Sequence, residues 1–169
     1  QCVSREGCGP KYFPPVAVHP ILPCMNATST GAKFYKTDLH THTPGSKDYA
    51  NKGASAHDIV QAADKAGIEI LGITDHNTAE WITLVSNASA GTSVSVIPGV
   101  EITTPEGHIL ALFDRGYDPA KISDLLVEVG IPREAHGRED AISTDHAEEV
   151  IKRIHDAGGI ALAAHANET

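Results

Sequence analysis

His40 and His42, separated by Thr41 at the end of an apolar stretch, are the first residues from which chemistry can be read. Residues two apart on a strand point to the same face, so an H-x-H pair at a strand end presents two imidazoles side by side, a geometry that suits one divalent cation. Pro44-Gly45-Ser46 follows at once and turns the backbone away, which leaves both rings at a loop mouth. A polar strand edge without any ligand is the competing reading, and so short a motif does not choose between them. Further residues of the same chemical kind follow: Asp75-His76, Glu101 and His165 each fall at the C-terminal end of an apolar run, and His108 opens another. If those runs are neighbouring strands, their tips converge on one cleft, and a joint placement of this kind argues for a metal site far more strongly than any single residue does.

The elements that must position these groups alternate between two periodicities. Strands are predicted over 34–39, 68–74, 94–100, 108–113 and 160–164. Ser55 is a candidate N-cap for a helix carrying Ile59, Val60, Ala62, Ala63 and Ala66, which Gly67 stops. Thr78 is placed to cap a second helix over 79–88, and Thr144 a third that carries Val150, Ile151 and Ile154 and ends at Gly158-Gly159. Between them, 114–130 alternates turn and weak helix signals, and 131–142 reads as a charged loop. Pro105-Glu106-Gly107 predicts a hairpin-like turn that returns His108 beside the strand of Glu101. Strands alternating with helices predict an α/β fold with a mostly parallel sheet, whose active residues gather at strand C-termini.

Composition narrows the class. The 169 residues suffice for one domain, and 41% hydrophobic content with only 5% aromatics implies a core of Ile, Leu, Val and Ala. A formal net charge of −9 argues against a broad basic nucleic-acid surface, so a phosphate partner would need a cation. No apolar run reaches the length of about 18 residues that a membrane span needs. The three cysteines, Cys2, Cys8 and Cys24, all lie in a Pro-rich leader and do not form a disulfide framework, which points to a cytoplasmic body. Residues 1–33 are expected to be a leader or linker outside the fold, and 34–169 the domain.

Asp38-Leu39-His40-Thr41-His42-Thr43, Thr74-Asp75-His76-Asn77, Pro98-Gly99-Val100-Glu101, Gly107-His108-Ile109-Leu110 and Ala164-His165-Ala166, in this order, resemble the PHP family, named for polymerase and histidinol phosphatase. The resemblance implies a distorted (β/α)7 TIM-like barrel and a phosphoesterase centre of two or three divalent ions, zinc, manganese or iron. It implies that His40 and His42 bind the first metal, that Glu101 bridges the first and second, that His108 and His165 complete the second, and that His76 serves a third. Asp75 is either a further metal-side carboxylate or an acceptor that fixes an imidazole, and Asp38 falls behind the ligands. Glu101, Asp75 and His76 are the residues expected to carry catalysis. His19 falls in the leader, and His57, His136, His146 and His155 are read as solvent-facing.

One departure stands out. The family's final D-x-H motif is absent, and five strands cannot complete seven, so the chain reads as a barrel lacking its C-terminal strands and, as such, a weak catalyst. The expected activity is hydrolysis of a phosphate ester by metal-activated water, on a nucleotide, an oligonucleotide or single-stranded nucleic acid, or a small phosphomonoester, with no protein nucleophile and no membrane partner. The phrasing around 34–46 resembles PHP modules that precede a C-terminal ATPase domain. The alternative is a structural or regulatory module of such a larger protein, with little activity of its own.

Overall fold

A computed structural model describes residues 32–165, so the expected leader lies outside the described residues except for its last two. Five strands form one mixed sheet in the order β1-β2-β3-β4-β5: β1 Thr37–Thr41, β2 Ile70–Ile73, β3 Ser95–Thr104, β4 Gly107–Leu112 and β5 Ile160–Ala163. β1, β2 and the first half of β3 pair in parallel, whereas β4 is antiparallel to both β3 and β5. Four strands therefore run one way and β4 runs against them. The C-terminal ends of β1, β2, β3 and β5 and the N-terminal end of β4 consequently share one rim. The sheet curls as part of a barrel.

Four helices, α1 Ala56–Lys65, α2 Ile82–Ala88, α3 Pro119–Glu128 and α4 Ala147–Asp156, pack against it through one continuous apolar core. Val60, Ile82, Val85, Ile122, Leu126, Val150 and Ile154 are buried there with Leu71, Ile73, Val100 and Ile102 from the strands. Each such side chain contributes about 1.5–3 kcal/mol on leaving water. Ser55 caps α1 in a reciprocal box: its hydroxyl accepts the Asp58 N–H at 3.2 Å and Asp58 accepts the Ser55 N–H at 2.8 Å. Among the described residues no helix is long and apolar enough to cross a membrane.

Several expected boundaries move. β1 begins three residues later than predicted and runs on through His40 to Thr41, with Phe34 and Tyr35 exposed ahead of it. β3 does not stop before Glu101 but continues to Thr104, since β4 offers a hairpin partner where β2 ends. Thr78 does not cap α2. Its hydroxyl accepts the Glu80 N–H in a local turn, and the helix starts only after Trp81. Thr144 does not cap α4 either, because its hydroxyl faces the Val129 carbonyl at 3.4 Å; the Ala147 N–H is instead accepted by the Glu106 carboxylate at 2.9 Å. The stretch 114–130, read as weakly helical, holds the full ten-residue α3, started by Asp118 as N-cap and Pro119 at the first turn. β5 is an edge strand with Ile160 and Leu162 exposed.

Candidate metal centre

Glu101 stands at the middle of the shared rim. It lies where β3 passes from its parallel partner to its antiparallel one: His76 bridges it on the β2 side and Leu110 faces it on β4. Its side chain is completely buried, yet five imidazoles surround it. Oε2 faces His40 Nε2 at 2.9 Å, His42 Nε2 at 2.8 Å and His76 Nδ1 at 3.4 Å. Oε1 faces His108 Nδ1 at 3.1 Å and His165 Nε2 at 3.6 Å. The two carboxylate oxygens thus divide the histidines into two sets.

Strand placement explains each of these groups. His40 is in β1 and His42 just past it, and their Nε2 atoms come within 3.2 Å of each other. His76 follows β2, His108 enters on β4 opposite Thr103, and His165 ends the turn after β5 with φ 52°. The rings of His42 and His76 meet edge to face at 4.5 Å, and those of His40 and His165 are 4.9 Å apart. His40, Glu101 and His165 form one group whose donor atoms lie within 4.8 Å of one another, and His42, His76 and Glu101 form another.

Charge and burial act in opposition here. Burial works against ionisation of Glu101, but hydrogen bonds from His42 and His40 and the charge of His76 outweigh it and hold its pKa at about 2. Burial also disfavours the His42 cation, and the Glu101 carboxylate overcomes this and raises its pKa. At His76 burial prevails and the pKa falls, which favours the neutral imidazole that can act as a ligand.

The donor set fits divalent cations. Glu101 Oε1, His76 Nδ1 and His108 Nδ1 are buried atoms without a hydrogen-bond partner among the described residues. Leaving such groups unsatisfied costs about 1–3 kcal/mol each. Ions placed among these lone pairs would satisfy them together, and a carboxylate with nitrogens on both oxygens can be shared between two ions.

Asp75 does something else. Expected as a ligand or as the acceptor that fixes an imidazole, it instead receives the Thr43 N–H and hydroxyl, both at 2.6 Å, the Ser46 hydroxyl at 2.8 Å and the Ser46 N–H at 3.2 Å. Both oxygens are turned to the loop after β1, and among the described residues Asp75 belongs to none of the candidate donor groups. Asp38 accepts the His40 N–H at 3.2 Å and is exposed. His57, His146 and His155 are exposed, whereas His136, expected to face solvent, is half-buried. His19 lies outside the described residues.

Two acidic residues that the sequence did not single out join the centre. Asp48 and Glu139 form a third candidate donor group with His76. Asp48 shares a loop with His42 and Ser46, so its proximity was a signal; Glu139 comes from the 131–142 loop and carries none. A cleft of about 670 Å³ is lined by His76, His108 and His165 together with Thr104, Glu106 and Glu139.

Known proteins resemble this chain in sequence and in fold. The sequence model of the PHP domain matches residues 38–159. An uncharacterized protein of Methanocaldococcus jannaschii is 30% identical over 137 residues, covering 77% of this chain and 67% of that protein. Among solved structures, a candidate metal-dependent phosphoesterase from Bifidobacterium adolescentis superposes with a TM-score of 0.57 at 20% identity, over 79% of this chain and 68% of the other. An amidohydrolase from Chromobacterium violaceum, solved with bound sulfate and no metal, superposes with a TM-score of 0.59 at 18% identity over the same shares. At those identities the likeness is one of fold.

Proposed function

The chain belongs to the PHP domain family, and from that premise we propose that it is a metal-dependent hydrolase of phosphate esters. One observation carries the reading: a fully buried carboxylate, Glu101, with three imidazole nitrogens against one oxygen and two against the other. His40, His42 and Glu101 would hold one divalent cation, Glu101, His108 and His165 a second, and His76 a third. Such ions, zinc, manganese or iron, supply Lewis-acid charge for a phosphoryl oxygen and a water acidified enough to attack.

The chain's own residues do the rest. Glu101 stays ionised throughout the neutral range and keeps the two histidine sets at fixed spacing. Asp75 takes no part in proton transfer, because four donors occupy it, and acts by locking the loop that carries His42. Ser46 is not a nucleophile: its hydroxyl is committed to Asp75 and its oxygen to the His76 N–H. The cleft beside His76, His108 and His165 has room for the ester's leaving group. A nucleotide, an oligonucleotide or a small phosphomonoester is the substrate in this reading, the barrel is the seven-stranded one of the family, and the setting is cytoplasmic, with an ATPase domain as partner.

The test loads the whole protein with manganese, zinc or iron and measures turnover of p-nitrophenyl phosphate and of its bis-ester beside Glu101→Gln. Cation-dependent turnover that the variant lacks is the expected result. Cleavage of an amide with both phosphate esters left intact would overturn the substrate class.

A further inference from the structure

Asn77, the residue after His76, is fully buried and has a backbone φ of 49°, and the cation centre described above makes no use of it. Its side chain joins β3 to the 137–142 loop. Oδ1 accepts the Thr103 N–H of β3 at 3.1 Å, and Nδ2 donates to the carbonyls of Arg138 at 2.7 Å and Ala141 at 2.9 Å. The main chain adds two more ties, with the Asn77 N–H on the Glu101 carbonyl at 2.9 Å and the Gly137 N–H on the Asn77 carbonyl at 3.2 Å. Thr103 completes the set by donating its hydroxyl to the Glu139 carbonyl at 3.0 Å. The carbonyls of residues 138, 139 and 141 are therefore all pinned, in a loop that has no helix or strand there to hold it.

What the pinned loop presents is the Glu139 carboxylate, in one donor group with Asp48 and His76. His76 is 5% exposed, and its two nitrogens look in different directions: Nδ1 is 3.4 Å from Glu101 Oε2 and Nε2 is 3.9 Å from Asp48 Oδ2. Nε2 therefore faces the side on which Asp48 and Glu139 lie, away from Glu101.

We propose that Asn77 is a positioning residue of this centre, fixing the 137–142 loop so that Glu139 serves as a further cation-binding carboxylate on the Nε2 side of His76. The inference rests on the cation-binding reading above but not on the phosphate-ester substrate. Its test is therefore Mn²⁺ binding by the whole protein, followed by titration calorimetry and by the electron paramagnetic resonance of the bound ion.

Glu139→Gln is expected to weaken the loosest class of bound Mn²⁺ by about tenfold or more, the scale on which orienting groups act on metal affinity. Asn77→Gly, which suits the positive φ and deletes only the side chain, should weaken the same class, and the double variant should be no weaker than the worse single one. Thr103→Val, a milder loss of the tie to the Glu139 carbonyl, should move that class in the same direction and decides the matter if Asn77→Gly does not fold. Wild-type Mn²⁺ binding in Glu139→Gln, full additivity of the two single effects, or no change in Thr103→Val would each overturn the inference. A protein that takes up Mn²⁺ in this pattern but cleaves no phosphate ester would overturn the proposed activity and uphold the positioning role, whereas one that takes up no Mn²⁺ overturns both.

Discussion

Ser46 donates its hydroxyl to Asp75 Oδ1 at 2.8 Å, and the same serine oxygen accepts the main-chain N–H of His76 at 2.9 Å. One side chain thereby ties the loop after β1, which follows His42, to the turn after β2, which carries His76. Burial pushes the Asp75 pKa up, and the bonds from Thr43 and Ser46 oppose that shift. The spacing of His42 and His76 across Glu101 therefore depends on a carboxylate that touches neither ring.

Asp75→Asn is expected to destabilise the protein by about 1–3 kcal/mol, because an amide nitrogen would replace one acceptor among converging N–H and O–H donors. Denaturant midpoints measured in EDTA check this. An unchanged midpoint without metal would show that Asp75 matters only through the ions.

Glu101→Gln should abolish turnover and lower the cation stoichiometry, since an amide offers one oxygen where two faced the two histidine sets. A loss of at least about a hundredfold in cation affinity is expected, at or above the upper end of what orienting residues behind ligands cost. Elemental analysis and rates on the same preparation decide it, and wild-type metal content in the variant would remove Glu101 from the centre.

The sequence made His40, His42, His76, His108 and His165 legible because each sits at a strand end, and strand ends follow from apolar runs of local origin. The return of His108 was legible for the same reason, through Pro105-Glu106-Gly107. Asp75 was misread because it has the same place at a strand tip as a ligand would; only the donors of Thr43 and Ser46, some 30 residues away in sequence, show where its oxygens turn. Thr78 and Thr144 look like helix caps by type, but a local turn takes the hydroxyl of Thr78 and a tertiary contact that of Thr144. Glu139 left no trace because its place is set by Asn77 and Thr103 across the chain, not by any period around it.

Stability of the metal-free protein should be greatest at about pH 6.5, because the lowered pKa of His76 costs stability as the pH falls below that value and the raised pKa of His42 costs it as the pH rises above. Glu101 has a folded pKa of about 2 against an ordinary 4.5, so its contribution is complete above 4.5 and is lost as the pH falls towards 2. His42 is raised above its ordinary 6.5, so its contribution is complete below 6.5 and fades as the pH rises through the higher folded value. Cations compete with protons for the same imidazoles, so adding Mn²⁺ should move the optimum upward. Melting temperatures across pH with EDTA and with Mn²⁺ test both statements, and an unmoved optimum would argue against histidine ligation.

Gly137→Ala and Gly158→Ala form a matched pair for the loop that carries Glu139. Both glycines have a left-handed φ, 80° and 81°, so a Cβ at either brings a similar backbone strain, on the order of 1 kcal/mol. At Gly158 the added carbon meets nothing within 4 Å, whereas at Gly137 it would lie 2.6 Å from the Gly45 carbonyl oxygen. That contact sits where the Lys47 N–H donates to the Gly137 carbonyl at 2.7 Å and so joins the Asp48 loop to the Glu139 loop. Relief requires the two loops to move apart, and with them two carboxylates that face His76. Gly137→Ala is therefore expected to cost about 1–3 kcal/mol more than Gly158→Ala and to weaken Mn²⁺ binding, while Gly158→Ala leaves the metal affinity unchanged. Equal stability losses with equal metal affinities in the two variants would show that the loops are not held against each other at Gly137.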